Sequence, residues 1–205
     1  MLECHQYQRR AVQTVNKQPV LNGACKENPA QLALQPGDVN LDVNDYDPQE
    51  RVSLYQIPNF ICGSLLNIPL GDSTFGTIVL GEILEHCPPA SADRIMQEVK
   101  RVLRDDGRVV VTVPLDSRPP EVQHEPHLLI TWEGGITSWH QTVWTDDKFT
   151  DLLERNGFEE LPEFRETLNY GFCSGTGAIL RKKLDAVDSA SRASEGTLSS
   201  GDEPH

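Results

Sequence analysis

Histidine moves protons near neutral pH and binds metals, so the chain's six histidines are the first candidates for chemistry. Two of them lie close together in Gln123-His124-Glu125-Pro126-His127, and His140 follows. A metal would need this trio as ligands, but Pro126 intervenes and the spacing matches no standard zinc pattern, so no metal is expected. The five cysteines, Cys4, Cys25, Cys62, Cys87 and Cys173, are scattered without a CxxC pair and offer no ligand set either. They point to a reducing, cytoplasmic setting. His86 follows an apolar run and would stand at the mouth of a strand, within reach of a bound molecule. Trp132, Trp139 and Trp144 crowd one short stretch, either as a packed lid or as an aromatic wall for an apolar or cationic ligand, with Gly134-Gly135 as a hinge.

The other candidate is main chain. In PVLNGACKENP, from Pro19 to Pro29, two β-formers run into small residues and then into a charged segment. That is the outline of a strand ending in a turn where a ligand can approach the backbone.

These groups need a frame. Val20-Leu21, the alternating Asp38–Val43 and Asn59–Cys62 read as short strands. Thr77–Leu80 is a continuous apolar run, as expected of a strand covered on both faces, and Arg108–Val113 is another, closed by Pro114. Between them a helix is expected from a Ser91 cap, with Ile95, Val99 and Val102 on one face, to a stop at Asp106-Gly107. A second helix runs from a Thr145 cap through Phe149, Leu152 and Leu153 to Gly157. Two β-like stretches, Glu163–Tyr170 and Gly177–Lys182, are close enough in sequence to pair antiparallel. The order predicts a three-layer α/β domain with a mostly parallel sheet and a C-terminal antiparallel hairpin. Ligands bind such sheets outside the carboxyl ends of the strands, which selects residues 22–28, 42–47, 63–66, 81–87 and 114–127.

Three motifs within residues 59–114 carry a resemblance: Leu66-Asn67-Ile68-Pro69-Leu70-Gly71-Asp72-Ser73-Thr74-Phe75, Leu84-Glu85-His86, and Glu98–Gly107. They resemble the "LPF-x-D-x-SFD", "LEH" and "E-x-x-RVLKPGG" motifs of class I S-adenosylmethionine-dependent methyltransferases of the small-molecule type. The stretch His140–Thr145 followed by Gly157-Phe158 is similar to that family's closing unit, so the likeness spans roughly Val20 to Lys183. The resemblance implies a Rossmann-like methyltransferase fold, S-adenosylmethionine as cofactor, and methyl transfer to a small-molecule or glycan-like acceptor. It places the cofactor on Asn22, Gly23, Ala24 and Cys25 in the first turn, on Asp42 for the ribose hydroxyls, on Ser64 and Leu65 by the adenine, and on Gly81. His86 and His140 are the candidate catalytic residues, each a possible base for the acceptor's proton.

The chain departs from the pattern where Ala24 and Lys26 stand for turn glycines, Ser64 for the adenine-reading acid, and Gly76 for the acid after Phe75. Ala24 fits easily only if its φ is negative. On these departures the sulfonium pocket keeps one carboxylate and loses two. The alternative they raise is a catalytically inactive methyltransferase-like domain acting as a binding or assembly partner. A dinucleotide oxidoreductase is disfavoured because no GxGxxG follows a strand.

The net charge of −13 argues against nucleic acid or an acidic membrane as partner. No apolar run reaches signal-peptide or membrane-span length, so a soluble protein is expected. The expected organisation is an N-terminal segment 1–18, a methyltransferase-like domain 19–184 and a disordered tail 185–205, which holds −4 of the charge. So short an N-terminal segment leaves the cofactor either more exposed or covered by a homodimer or other partner subunit.

Overall fold

A computed structural model of the chain describes residues 3–24, 32–43, 46–47, 52–115, 131–132, 135–136, 141–169 and 174–183. In chain order its elements are helix α1 (Glu3–Val15), strands β1 (Val20–Gly23), β2 (Val39–Asp42), β3 (Tyr46–Asp47), β4 (Val52–Ser53), β5 (Phe60–Cys62) and β6 (Phe75–Gly81), and helix α2 (Pro89–Val102). Strands β7 (Leu103–Leu115), β8 (Thr131–Trp132) and β9 (Gly135–Ile136), helix α3 (Asp146–Arg155), and strands β10 (Phe158–Glu160), β11 (Glu166–Asn169) and β12 (Ser174–Lys182) complete it.

The main sheet has eight strands in the order β10-β12-β7-β6-β1-β2-β5, with β11 also on β12. The pairs from β7 through β5 are parallel, whereas β12 is antiparallel to β7, β10 and β11. This is the expected α/β architecture with its antiparallel C-terminal part.

Alternation along the strands sends side chains to two layers. Ile78 and Leu80 of β6, Val109, Val111 and Val113 of β7, and Ala178 and Leu180 of β12 face one layer with α2, α3, Leu84 and Trp144. Val79, Val110 and Ile179 face the other, with Cys4, Tyr7 and Ala11 of α1 and Leu32 and Ala33. Trp144 is thus a core residue.

α1 was not foreseen in the N-terminal segment. Its buried residues Cys4, Tyr7, Gln8 and Ala11 keep a helical i, i+3, i+4, i+7 spacing, but Cys, Gln and Ala make that stripe faint in sequence. Tyr7 packs where Gly177 lacks a side chain, 2.6 Å from where a Cβ would stand, and its hydroxyl donates to Phe164 O at 2.7 Å. Direction matters for the site: Gln8 lies by Gly81, near the carboxyl ends of the strands, whereas Lys17 O, just past α1, accepts from Thr77 Oγ1 near their amino ends.

Two helix boundaries differ from expectation. α2 begins at Pro89, two residues before Ser91, because proline is preorganised for a first-turn position. It ends at Val102 rather than at Gly107, since Leu103 is already extended and pairs with Phe75. α3 matches its expectation: Thr145 Oγ1 accepts from Lys148 N at 3.3 Å, and Gly157 takes φ +72 beyond its end.

Candidate active site

From β1 the sheet is extended to one side through β2 and β5, and the chain then returns to build β6 on the other side of β1. The reversal puts a crevice at the carboxyl ends of β1 and β6, the position at which doubly wound sheets bind ligands. Gly23 ends β1, Gly81 ends β6, and the pair Gly23↔Leu80 sets their ends side by side.

Each of these glycines is followed by a residue in the left-handed region, Ala24 at φ +55 and Glu82 at φ +52. A residue with a Cβ is disfavoured there by about 1–2 kcal/mol. The condition under which Ala24 would fit easily, a negative φ, is therefore not met; its backbone makes the turn that a glycine would make. Two such residues side by side at a ligand crevice fit the tendency of strained backbone to gather at functional sites.

Around the crevice the expected residues fall into two groups. The Asn22 side chain is committed inward: its Nδ2 donates to Asn40 Oδ1 at 2.9 Å, and Asn40 donates in turn to Ala33 O and Pro58 O. Leu65 lies over Gly23, where a Cβ would come within 2.9 Å of its Cδ2. At Gly81 the space of a side chain is filled by Gln8, whose amide would be 2.4 Å from a Cβ and donates to Thr112 Oγ1 at 2.8 Å. Asp42 and Ser64 stand on the other side, Asp42 as the buried last residue of β2 and Ser64 two residues beyond β5, its Oγ accepting from Leu66 N at 3.1 Å. Cys25 and His140 lie outside the described residues, as do His124, His127, Trp139, Lys26 and the C-terminal tail.

Gly76 corrects the reading of the pocket. It is the second residue of β6, five residues before Gly81, and so about 17 Å from the carboxyl end. A Cβ there would meet Gln18 O and the Lys17 carbonyl carbon at 2.8 and 2.9 Å. The missing acid takes no carboxylate from the crevice; glycine at this position lets the chain cross β6 closely.

The Leu84–His86 turn after β6 holds the other charged groups. Leu84 is in the core and Glu85 is only 1 % exposed, while His86 is part-exposed with Nε2 3.7 Å from Glu85 Oε1. Burial, and then the neighbouring Glu82 charge, push the Glu85 carboxyl well above the usual carboxylate range and so favour its neutral form. Among the described residues its Oε2 has no hydrogen-bond partner. The turn is lashed to residues 141–144: Gln141 N and Thr142 N donate to Glu85 O at 2.7 and 3.1 Å, Gln141 Nε2 to His86 O at 2.9 Å, and Thr142 Oγ1 to Cys87 O at 2.5 Å.

The third motif is structural. Glu98, buried on α2, accepts from Ile68 N at 2.9 Å, and Arg101 donates to Glu98, Asp72, Ile68 O and Leu70 O. Together they fasten the 66–72 loop, and with it Ser64-Leu65, to the helix. Sequence reasoning missed Gln8, and gave Glu82 and Glu85, though inside the selected stretch 81–87, no role of their own. An acid beside the core residue Leu84 was the one legible sign of a buried carboxyl.

Residues 25–111 match the family model described as a methyltransferase domain. No curated protein matches the chain in sequence. Among solved structures, the 1,6-didemethyltoxoflavin-N1-methyltransferase of Burkholderia thailandensis, solved with 1,6-didemethyltoxoflavin and S-adenosylhomocysteine, superposes with a TM-score of 0.63 at 12% identity over 88% of this chain and 79% of that one. A S-adenosylmethionine-dependent methyltransferase of Methanosarcina mazei gives 0.60 at 17% identity over 81% and 92%. The magnesium protoporphyrin IX methyltransferase of Synechocystis PCC 6803, with S-adenosylmethionine bound, gives 0.57 at 14% over 87% and 79%. At these identities the likeness is one of fold.

Proposed function

We propose that this chain, a class I S-adenosylmethionine-dependent methyltransferase, transfers the methyl group to a small-molecule or glycan-like acceptor held above the ends of β6 and β7. The observation that carries the reading is the crevice itself: a glycine-like turn at Gly23-Ala24 facing the β6 end, with the Asp42 carboxylate one strand away. These residues fit the cofactor. Asp42 is a two-oxygen acceptor for a pair of ribose hydroxyls, the main chain of Gly23 and Ala24 admits the methionine portion, which Gly81 with its covering Gln8 borders, and Ser64 and Leu65 flank the adenine.

The bound cofactor supplies an electrophilic methyl on a sulfonium. With that group supplied, the protein's part would be to align the acceptor with it and to remove the acceptor's proton. His86, part-exposed at the mouth of β6, is the proton acceptor in this reading. His140, outside the described residues, is the second candidate through the resemblance of the closing unit His140–Thr145.

Isothermal titration of the full chain with S-adenosylhomocysteine tests the reading. Saturable binding that Asp42→Ala weakens more than tenfold is expected, since two hydrogen bonds to a charged group are lost. No heat at millimolar ligand would sink it and leave the inactive binding domain.

A further inference from the structure

Buried polar atoms in folded proteins nearly always have partners, and each exception calls for an explanation. Five buried side-chain atoms have none among the described residues, and three of them, Glu85 Oε2, Trp144 Nε1 and Thr176 Oγ1, belong to one end of the sheet. Glu85 is in the turn after β6. Trp144 is bridged to Leu115, the last residue of β7, and is joined to the Glu85 turn through the bonds of Gln141 and Thr142. Thr176 pairs with Val113, two residues before Leu115, and by strand alternation points to the layer of Val111, Val113, Leu84 and Trp144. Three separate segments thus bring three unpaired polar groups to the carboxyl ends of β6 and β7 and the amino end of β12, on one face, with Glu85 beside His86.

We infer that Glu85, Trp144 and Thr176 form the polar floor of the acceptor pocket and that they select an uncharged, largely apolar acceptor whose heteroatoms hydrogen-bond to them. This rests on the methyltransferase reading. The Trp144 indole can only donate, and the Thr176 hydroxyl donates or accepts. Glu85, whose burial favours the neutral form, offers an O–H donor in that form. Their surroundings are apolar: Leu84 and Val113 are buried, with Ile83, Cys87 and Leu115 packed beside them. An anionic acceptor would lose its hydration without meeting a counter-charge from these three groups, and a cationic one would find its counter-charge only by ionising a carboxyl whose charged form burial and Glu82 disfavour. A phenol-like or neutral heteroaromatic acceptor matches all three.

The test uses the 15N-labelled full chain, with and without S-adenosylhomocysteine, titrated with phenol and with benzoate and benzylammonium as its charged counterparts. The readout is the Trp144 indole N–H resonance, assigned by its absence in Trp144→Phe. Expected is a saturable downfield shift with phenol and none with either ion. Thr176→Val and Glu85→Leu should weaken phenol about three- to tenfold, one neutral hydrogen bond each, and Glu85→Gln, which keeps a donor, should restore it. Thr176→Val is nearly isosteric and carries the test should Glu85→Leu fail to fold. An indole resonance that phenol leaves unmoved, or that shows exchange with a buried water persisting at saturating phenol, overturns the proposal. Failure of S-adenosylhomocysteine to bind would overturn the methyltransferase reading instead, while the indole shift on the ligand-free chain still decides the floor.

Discussion

At the scale of single residues, Ala24 and Glu85 each hold a state their type disfavours. Ala24 sits at φ +55, so Ala24→Gly should stabilise the chain by about 1 kcal/mol and raise the melting midpoint by about 2–4 °C. Ala24→Val should lower it. Calorimetry on the three proteins checks this, and an unchanged midpoint in both variants would show that the turn relaxes. Glu85 has its folded pKa raised by burial and by Glu82. The unfolded chain therefore releases this proton at lower pH than the folded one, so stability is lost as pH rises from the unfolded value toward the folded one. Urea unfolding at pH 5 and pH 8 should show Glu85→Gln losing less stability across that interval than the wild type. Equal losses would mean the carboxyl is not held neutral.

At the scale of elements, the Glu98–Arg101 pair works as a fastener between α2 and the 66–72 loop. Arg101→Ala should cost about 1–3 kcal/mol, because Glu98 is left buried with its strongest partner gone. It should also speed amide exchange in the loop and weaken S-adenosylhomocysteine through Ser64-Leu65. Fast exchange confined to α2 would place the fastener elsewhere. The strands and α3 were legible because Val, Ile and Leu runs, the Thr145 cap and the Gly157 stop are strong local signals. α1 was not, for its buried stripe of Cys4, Tyr7, Gln8 and Ala11 is half polar and gains its meaning only from Gly81 and Gly177 across the sheet. In the site, Asp42 and the first turn were proposed from the family resemblance of their motifs. The Glu85 burial and the distance of Gly76 from the crevice depend on tertiary geometry that no spacing expresses.

At the scale of the whole molecule, one described helix, α1, lies against its face of the sheet, opposite α2 and α3. Tyr7→Ala should therefore cost about 3–5 kcal/mol, as a large aromatic truncation in a core; a loss under 1 kcal/mol, read by chemical denaturation, would mean that α1 is dispensable. A net charge of −13 opposes compaction through self-repulsion, and raising salt from about 10 to 150 mM, which shortens the screening length to about 8 Å, should raise the melting midpoint. The position of β12 has a consequence for biogenesis. It lies between β7 and β10 although it is the last of the described strands. On the ribosome, every earlier strand emerges while the long apolar flank of β7 waits without a partner. A nascent chain stalled or cleaved before residue 174 would present that flank as an open edge for its neighbours to join.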